Sequence, residues 1–307
     1  MIAADLERLF AAIATPYDAD GDVDHGRLSA LVEHYIDRGV EGIYCCGSSG
    51  EGLLLDTIER TEVVSTIVRT AGGRIPVVAH IGAVSTRDST MLARAAQDAG
   101  ATAVSMIPPI YYSYTAAAVI HHYRTVIDAI TIPMIVYNIP QFTGVEFDAI
   151  LADALLTDDR VIGVKHTAHN MYALERMRQQ YPDKAYLNGF DEVYLSALAA
   201  GARGTIGTTV GMQVELFAAV RDAAASGDLD RARMWQTRIN ETIDALVRAD
   251  VFPAAKYLSG RTVGDLGPCR EPFLELPGDH RQTLDRVGAQ MDEYIADARS
   301  GQARSRG

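Results

Sequence analysis

The stretch "VIGVKHT", residues 161–167, has the pattern of a buried β-strand that ends in a lysine. Its unbroken apolar start is typical of a strand that is covered on both faces of a parallel sheet. Lysine is almost never fully buried unless it has a partner or a function. The chain has only three lysines, Lys165, Lys184 and Lys256, so Lys165 does not belong to a lysine-rich surface. The stretch therefore indicates a parallel-sheet fold with a functional lysine at the end of one strand.

Seven more short apolar runs accompany this one along the chain. They cover residues 10–16, 42–47, 75–82, 103–109, 132–140, 185–190 and 204–209. Helical patterns follow the runs, as in "HGRLSALVEHYIDRG" (25–39), where apolar residues recur every three or four positions and a glycine ends the pattern. Eight strand-helix units predict an α/β fold, the (β/α)8 TIM barrel. An open doubly wound sheet is the alternative, but no glycine-rich dinucleotide fingerprint follows the first run.

Strand-like runs stop after residue 225, and the remaining segments are helical with one polar face. We therefore expect residues 1–225 to form the barrel with the active site and residues 226–307 to form a C-terminal helical appendage. The final stretch "SGQARSRG" (300–307) is small, polar and basic, so we expect it to be disordered.

Composition limits the partners. The formal net charge of −12 argues against nucleic acid and anionic membranes, since both require basic patches. No apolar run is long enough for a membrane span, and "MIAADLERLF" (1–10) lacks the basic flank and apolar core of a signal peptide. There are three cysteines, two of them adjacent, which favours reduced thiols over a disulfide framework. These features predict a cytoplasmic protein that binds neither nucleic acid nor a membrane.

The active site of such a barrel forms at the carboxyl ends of its strands. Because side chains alternate along a strand, Lys165 and Thr167 share one face and His166 points the other way. Burial lowers the pKa of a lysine amine and makes it a nucleophile toward ketones. A buried ion pair between Lys165 and Glu51 or Asp191 is the alternative.

The other two lysines are poor candidates for a Schiff base. Lys184 lies in the polar turn "YPDK" (181–184), where we expect solvent exposure. Lys256 falls in the helical appendage, where we expect no strand end near it. Lys165 is therefore the candidate imine lysine.

Two further groups suit an imine of a 2-oxo acid. The segment "GSSGE" (47–51) offers two hydroxyls and backbone N–H groups, which form a generic nest for a carboxylate. Tyr137 ends the neighbouring strand, where its phenol can move a proton beside the lysine. A core tyrosine with a satisfied hydroxyl remains the alternative for Tyr137.

The motifs "GSSGE", "YNIP…TG" (137–144) and "GVKHT" (163–167), in this order and spacing, resemble the dihydrodipicolinate synthase / N-acetylneuraminate lyase family. The resemblance covers almost the whole chain. It implies a (β/α)8 barrel with C-terminal helices, a homotetramer, and pyruvate held as a Schiff base without a metal or another cofactor.

The resemblance also implies roles for individual residues. Lys165 corresponds to the imine lysine and Tyr137 to the proton relay, which Tyr111 supports across a subunit contact. Ser48 and Ser49 correspond to the residues that bind the pyruvate carboxylate.

Within the family, the lyase branch is the closer match. The segments "AHIGAVST" (79–86) and "NGFDE" (188–192) resemble the lyases, and Phe142 stands where the synthases place an arginine. The match implies that the tail of a 2-oxo sugar acid is bound by Thr167, Gly189, Asp191, Glu192 and Thr208. Thr208 and His166 replace a usual serine and a usual glutamine, which would fit a different sugar acid. Asp191 and Glu192 could instead simply begin a helix, where acidic residues favour the helix dipole.

The first functional hypothesis is a class I aldolase that cleaves N-acetylneuraminate or a similar 2-oxo sugar acid to pyruvate and an aldehyde sugar. A dihydrodipicolinate synthase, or another lysine-dependent aldolase or dehydratase, is the second. A non-catalytic sugar-acid sensor is the third. A metal-dependent aldolase built on His80, Glu51 and Asp191 is the fourth, although no spacing in the chain matches a metal motif.

Overall fold

The structure is a computed structural model that describes residues 3–305, with side chains described for residues 3–301. Eight parallel strands form a closed barrel in sequence order, and β1 pairs with both β2 and β8. The strands are Leu9–Ala12 (β1), Gly42–Cys45 (β2), Val77–His80 (β3), Ala103–Met106 (β4), Met134–Asn138 (β5), Val161–His166 (β6), Ala185–Asn188 (β7) and Gly204–Gly207 (β8). Seven strands lie inside the predicted runs and β1 begins one residue before its run, so the TIM barrel is confirmed and the open sheet is wrong.

Helices connect the strands and cover the outside of the barrel. They are His25–Asp37 (α1), Thr57–Ala71 (α2), Thr86–Asp98 (α3), Ala116–Ile127 (α4), Pro140–Thr143 (α5), Ala149–Leu156 (α6), Met171–Gln180 (α7), Tyr194–Ala200 (α8), Val210–Ala225 (α9), Leu229–Arg248 (α10), Val251–Gly260 (α11) and Gly278–Ser305 (α12).

Local chemistry fixes where these helices begin and end. The Asp56 side chain accepts hydrogen bonds from backbone N–H groups in the first turn of α2. In turn, the Glu59 side chain accepts a hydrogen bond from the backbone N–H of Asp56. This reciprocal capping satisfies N–H groups that have no partner within the helix. Gly72 ends α2 in the left-handed conformation, with φ of 56°.

The barrel is buried on both faces, as a continuous apolar strand pattern requires. One cluster of buried side chains fills the barrel interior and includes Phe10, Tyr44 and Leu187. Leu6, from a short 3-10 helix before β1, belongs to this cluster and closes the amino-terminal end. The carboxyl end is therefore the open end of the barrel.

Helices α10, α11 and α12 pack outside the barrel against α9. Trp235 and Ile239 of α10 belong to the same hydrophobic cluster as the helices around the barrel. The division of the chain at residue 226 stays a prediction. Helix α12 continues through Ser305, so residues 300–305 have helical backbone where we expected disorder, and residues 306–307 lie outside the described part.

Among residues 3–305, no helix combines the length and the apolar character that crossing a membrane would require.

Candidate active site

A cavity of about 430 Å³ opens at the carboxyl ends of the strands. Nine of the ten residues predicted for the site line it. They are Ser48, Ser49, Tyr137, Lys165, Thr167, Gly189, Asp191, Glu192 and Thr208. Because they come from five different strand ends, only closure of the barrel brings them together.

Lys165 lies inside the barrel between two aromatic rings. Its Nζ is 4.0 Å from the ring centre of Tyr137 and 4.1 Å from that of Tyr44, and the residue is 4% exposed. Burial lowers the pKa of the Lys165 amine to about 7, although the Asp191 carboxylate opposes this shift. At neutral pH a large fraction of this amine is therefore uncharged and able to attack a carbonyl carbon.

The alternative of a buried ion pair at Lys165 fails within the described residues. Glu51 pairs with Lys256 instead, at 2.9 Å from Nζ. Asp191 uses its Oδ2 atom to accept hydrogen bonds from the backbone N–H and the hydroxyl of Thr209, both at 2.8 Å. Neither carboxylate forms a salt bridge with Lys165.

Tyr137 lies beside Lys165 because β5 and β6 pair with these two residues in register. Its ring packs edge-on against Tyr44 and His80, at 6.1 and 5.9 Å between ring centres. Burial raises the pKa of Tyr137 to about 12, and the nearby hydroxyls of Thr167 and Ser48 oppose that rise. The phenol is therefore protonated at neutral pH and starts as a proton donor.

The loop after β2 presents Ser48 and Ser49 at the rim of the cavity. Three hydrogen bonds close the turn, and they use the N–H groups of Gly50, Glu51 and Gly52. Within the described residues, no hydrogen bond engages the N–H group of Ser48 or Ser49. These two amides and two hydroxyls can together bind a carboxylate.

Thr208 lies closer to this loop than its predicted role implied. Its hydroxyl is 2.7 Å from the Ser49 hydroxyl, so it adjoins the serine pair that we expect to bind a carboxylate. Thr208 therefore stands at the boundary between the two predicted halves of the site.

Asp191 is buried in the lining of the cavity, where it begins a 3-10 helix after β7. Gly207 makes room for it, because a Cβ atom there would lie 1.6 Å from Asp191 Oδ1. That oxygen is buried without a hydrogen-bond partner in the described residues. Burial raises the pKa of Asp191 to about 6, while the two bonds from Thr209 oppose the rise. The expectation that Asp191 and Glu192 begin a helix is thus also met, and it coexists with a place in the cavity.

The outer part of the cavity is acidic. Glu192 and Asp250 join Asp191 in its lining, and no arginine lines it within the described residues. His169 lies 3.9 Å from Glu192 and stacks on Phe190, with 4.7 Å between ring centres. Phe142 stands at the mouth and is more than half exposed. This wall suits groups that donate hydrogen bonds and disfavours further acids.

Tyr111 is the one predicted residue that does not line this cavity. It is 88% exposed and has a left-handed backbone with φ of 80°. It forms an edge-on aromatic pair with Tyr112 at 4.9 Å. A role for Tyr111 in its own subunit's cavity is therefore excluded by its position, whereas the predicted role across a subunit contact stays a prediction.

The residues of the metal hypothesis do not converge. His80 directs Nδ1 to the carbonyl oxygen of Cys46 at 3.0 Å, whereas Glu51 pairs with Lys256 and Asp191 accepts hydrogen bonds from Thr209. In residues 3–301, no three His, Cys, Asp or Glu side chains are arranged as a metal site. The geometry of the ligands thus argues against this alternative.

His166 faces away from the cavity, as strand alternation predicted. Its Nδ1 accepts a hydrogen bond from Asn138 at 3.1 Å and its Nε2 donates one to the Asn170 carbonyl at 3.1 Å. His166 can therefore influence a substrate only through the position of β5 and α7.

Two contributions to the site escaped the sequence analysis. Tyr44 lies directly against Lys165, and the alternation of side chains after Gly42 in β2 could have placed it on the inner face. Leu246 of α10, Phe252 of α11 and Asp250 between the two helices also line the cavity. The sequence did not indicate this part of the wall, because these residues lie outside the strand-helix repeats.

The chain resembles known proteins over most of its length. The chain is 39% identical to the N-acetylneuraminate lyase of Rhizobium meliloti (strain 1021) over 271 residues, 88% of this chain and 90% of that protein. It is 36% identical to the N-acetylneuraminate lyase of Escherichia coli (strain SMS-3-5 / SECEC) over 292 residues, 94% and 98% of the two chains. A solved structure of a Ruminococcus gnavus sialic acid aldolase, a catalytic lysine mutant, superposes with a TM-score of 0.92 at 27% identity, covering 98% and 99% of the chains.

The fold and the relatives place the protein among the carbon–carbon lyases of the class I aldolase type. Residues 5–290 match the Dihydrodipicolinate synthetase family. The chain belongs to this family, and its resemblance to the N-acetylneuraminate lyase branch is confirmed by the two curated relatives.

Proposed function

We propose that the protein cleaves N-acetylneuraminate or a similar 2-oxo sugar acid to pyruvate and an aldehyde sugar through a Schiff base on Lys165. The observation that carries this proposal is the buried Lys165 amine, which forms no salt bridge among the described residues and has a pKa of about 7. The names of the curated relatives support the choice of substrate.

The first step joins the Lys165 amine to the ketone carbon of the substrate. The amine attacks C2, the carbonyl oxygen takes up protons and leaves as water, and a protonated imine remains. The rings of Tyr44 and Tyr137 stabilise this cation by the same contacts that they make with Nζ.

Cleavage of the C3–C4 bond then requires a proton to leave the C4 hydroxyl. The bonding electrons move to C3 and into the imine, which becomes a neutral enamine, while C4 becomes the aldehyde of the sugar product. Tyr137 is the relay for this proton: its phenol passes its own proton to the substrate carboxylate as it takes the one from the C4 hydroxyl, and the reverse path returns a proton to C3. The phenol is placed for this relay because it lies next to Lys165 at the same level of the barrel. Hydrolysis of the pyruvate imine frees the lysine.

The two ends of the substrate are recognised by different chemistry. Ser48 and Ser49 bind the carboxylate with hydroxyl and N–H groups. The polyhydroxy tail extends along the acidic wall, where carboxylate oxygens accept hydrogen bonds from several hydroxyls. The residues that we assign to the tail are Thr167, Gly189, Asp191, Glu192 and Thr208.

We further propose a homotetramer in which Tyr111 of one subunit supports the relay of another. A second cavity of about 280 Å³ lies beside Tyr137, with apolar walls that include Ile107, Ile110 and Phe273. An aromatic side chain from a neighbouring copy would fit there, and exposed Tyr111 has the required character. Light scattering that finds a monomer in solution would contradict this proposal.

A cytoplasmic location completes the proposal. The three cysteines are free and buried, as expected for a protein that folds in a reducing compartment.

Substrate choice gives a direct test. We expect pyruvate release from N-acetylneuraminate or another 2-oxo sugar acid, measured with a coupled lactate dehydrogenase assay. We expect little condensation of pyruvate with aspartate semialdehyde, the reaction of a dihydrodipicolinate synthase, because that substrate needs a cation for its own carboxylate and Phe142 supplies none. Efficient condensation without cleavage of any sugar acid would assign the protein to the synthases, and a dehydratase would release water and no aldehyde.

The pH dependence of adduct formation offers a second test. Trapping of pyruvate with cyanoborohydride should accelerate as pH rises through about 7, because Lys165 then loses its proton. The Asp191 carboxylate stabilises the ammonium form of Lys165. Asp191→Asn should therefore lower the pKa of Lys165 and shift the rising limb of the pH–rate profile to lower pH. Asparagine keeps an acceptor oxygen for Thr209, which preserves the local structure. Glu192→Gln is the matched control and should leave the limb in place; a limb that moves upward in Asp191→Asn would refute this coupling.

A further inference from the structure

A buried ion pair lies just outside the cavity and joins its carboxylate-binding loop to the C-terminal helices. Lys256, in α11, places Nζ 2.9 Å from Oε1 of Glu51, the last residue of "GSSGE". The two side chains are 2% and 1% exposed. The expectation that Lys256 lies away from every strand end is therefore wrong, because α11 folds back over the end of β2.

Both members of the pair use their remaining hydrogen-bonding groups on one segment. Lys256 Nζ donates to the carbonyl oxygen of Pro268 at 2.9 Å, and Glu51 Oε2 accepts from the backbone N–H of Arg270 at 2.7 Å. The ammonium also lies 3.8 Å from the ring centre of Tyr17. Three parts of the chain are thus fixed to one another: the loop at residues 47–52, helix α11 and the segment at 268–270.

The loop itself is tightly wound. Cys46 and Glu51, neither of them glycine, have left-handed backbones with φ of 56° and 54°. A Cβ atom on Gly52 would lie 1.8 Å from the carbonyl oxygen of Cys46, so the two ends of the loop touch. Such a conformation persists only where the surroundings hold it in place. The contacts that Glu51 makes with Lys256 and Arg270 hold this loop from the C-terminal part of the chain.

Stability alone is a weak reason to bury such a pair. Removing two charges from water costs about as much as their attraction returns, and apolar replacements are often equally stable. A fixed geometry is what a buried, fully hydrogen-bonded pair does supply. Its position directly behind Ser48 and Ser49 connects that geometry to the binding of the substrate carboxylate.

We propose that Lys256 and Glu51 are positioning residues, which hold the Ser48–Ser49 loop in the conformation that binds the carboxylate of a 2-oxo acid. This inference rests on the proposed Schiff-base function. The C-terminal helices would then contribute to substrate affinity from behind the loop, in addition to the wall that they form.

The test measures pyruvate binding through adduct formation on Lys165. In Lys256→Met, the pyruvate concentration that gives half-maximal trapping should rise by about 10-fold or more, since small displacements of a binding group are costly. The maximal trapping rate should change much less, because Lys165 and Tyr137 do not contact the pair.

A double variant separates positioning from stability. Lys256→Met/Glu51→Gln leaves no uncompensated charge behind, so its unfolding midpoint should recover toward wild type. Its half-saturating pyruvate concentration should stay raised, because the connection between loop and helix is still absent. If Lys256→Met does not fold, the double variant alone provides the measurement. If stability and the half-saturating pyruvate concentration both return to their wild-type values in the double variant, the proposal is overturned.

Glu215→Gln is the matched control. Glu215 is a buried acid that pairs with Arg38 and Arg299, away from the loop and the cavity. Its variant should lose stability without any change in half-saturating pyruvate; an equal rise would show that general loosening explains the effect and would overturn the positioning role. Failure of the wild-type protein to form any adduct overturns the proposed function itself, and the positioning role with it.

Discussion

Replacing Lys165 with methionine should abolish pyruvate trapping and lower sugar-acid cleavage by about 10⁴-fold or more, as losses of a covalent nucleophile do in other enzymes. Methionine has nearly the length of the lysine stem and no amine, so it packs between Tyr44 and Tyr137 without a buried polar group. We therefore expect the fold to survive and the free energy of unfolding to be unchanged or higher. Intact-mass measurement after borohydride reduction, followed by peptide mapping, locates the adduct.

Lys184→Met provides the matched control for this experiment. Lys184 is partly exposed and donates to the carbonyl oxygen of Asp158 at 2.9 Å, away from the cavity. This variant should keep one adduct per chain and nearly all of the turnover. An adduct mapped to Lys184 or Lys256, or cleavage that persists in Lys165→Met, would exclude the Schiff-base mechanism proposed for Lys165.

Tyr137→Phe should lower turnover by about 100-fold or more, as expected for the loss of a group that transfers protons. The ring keeps its edge-on packing against Tyr44 and His80. Only a hydroxyl is removed, so the free energy of unfolding should change by about 1 kcal/mol or less. Steady-state rates of pyruvate release, together with a denaturant titration, separate the two effects.

Tyr44 offers an unusually close comparison for Tyr137, because both rings contact the same ammonium group. The Tyr44 hydroxyl donates to Ser105 at 3.2 Å, inside the barrel, and thus away from a substrate. Tyr44→Phe should therefore retain far more turnover than Tyr137→Phe. Equal losses in the two variants would indicate that ring electrostatics, and not proton transfer, accounts for the role of Tyr137.

The sequence predicted the barrel well because each strand produces its own local signal. A continuous apolar run such as that of β6 can be recognised without any knowledge of its neighbours. Eight such runs, each followed by a helix, are compatible with few topologies. The same locality made Lys165 visible: it interrupts an apolar pattern at the end where chemistry occurs. Alternation also oriented His166 correctly, away from the cavity.

Contacts between distant segments could not be predicted in this way. Lys256 and Glu51 are 205 positions apart, and no local pattern around either residue indicates that they pair. Thr209 binds Asp191 from the next strand, which no spacing in the chain reveals. The extension of α12 to Ser305 was not predicted for a different reason. The last residues of this helix are small and polar, so they have no apolar face that would predict a helix.

Closure of the barrel has a consequence for synthesis of the chain. Strand β1 emerges early from the ribosome, yet one of its two neighbours is β8. One edge of β1 therefore stays unpaired until β8 has been synthesised and Leu9 can pair with Thr205. Until then β1 and β7 both present open strand edges, which are sites for pairing with other chains. The loop that contains Ser48 and Ser49 is completed later still, because its partners Lys256 and Arg270 follow β8 in the chain. A nascent chain that already contains every predicted catalytic residue would thus have neither a closed barrel nor a finished binding loop, and long-range pairing of this kind folds slowly.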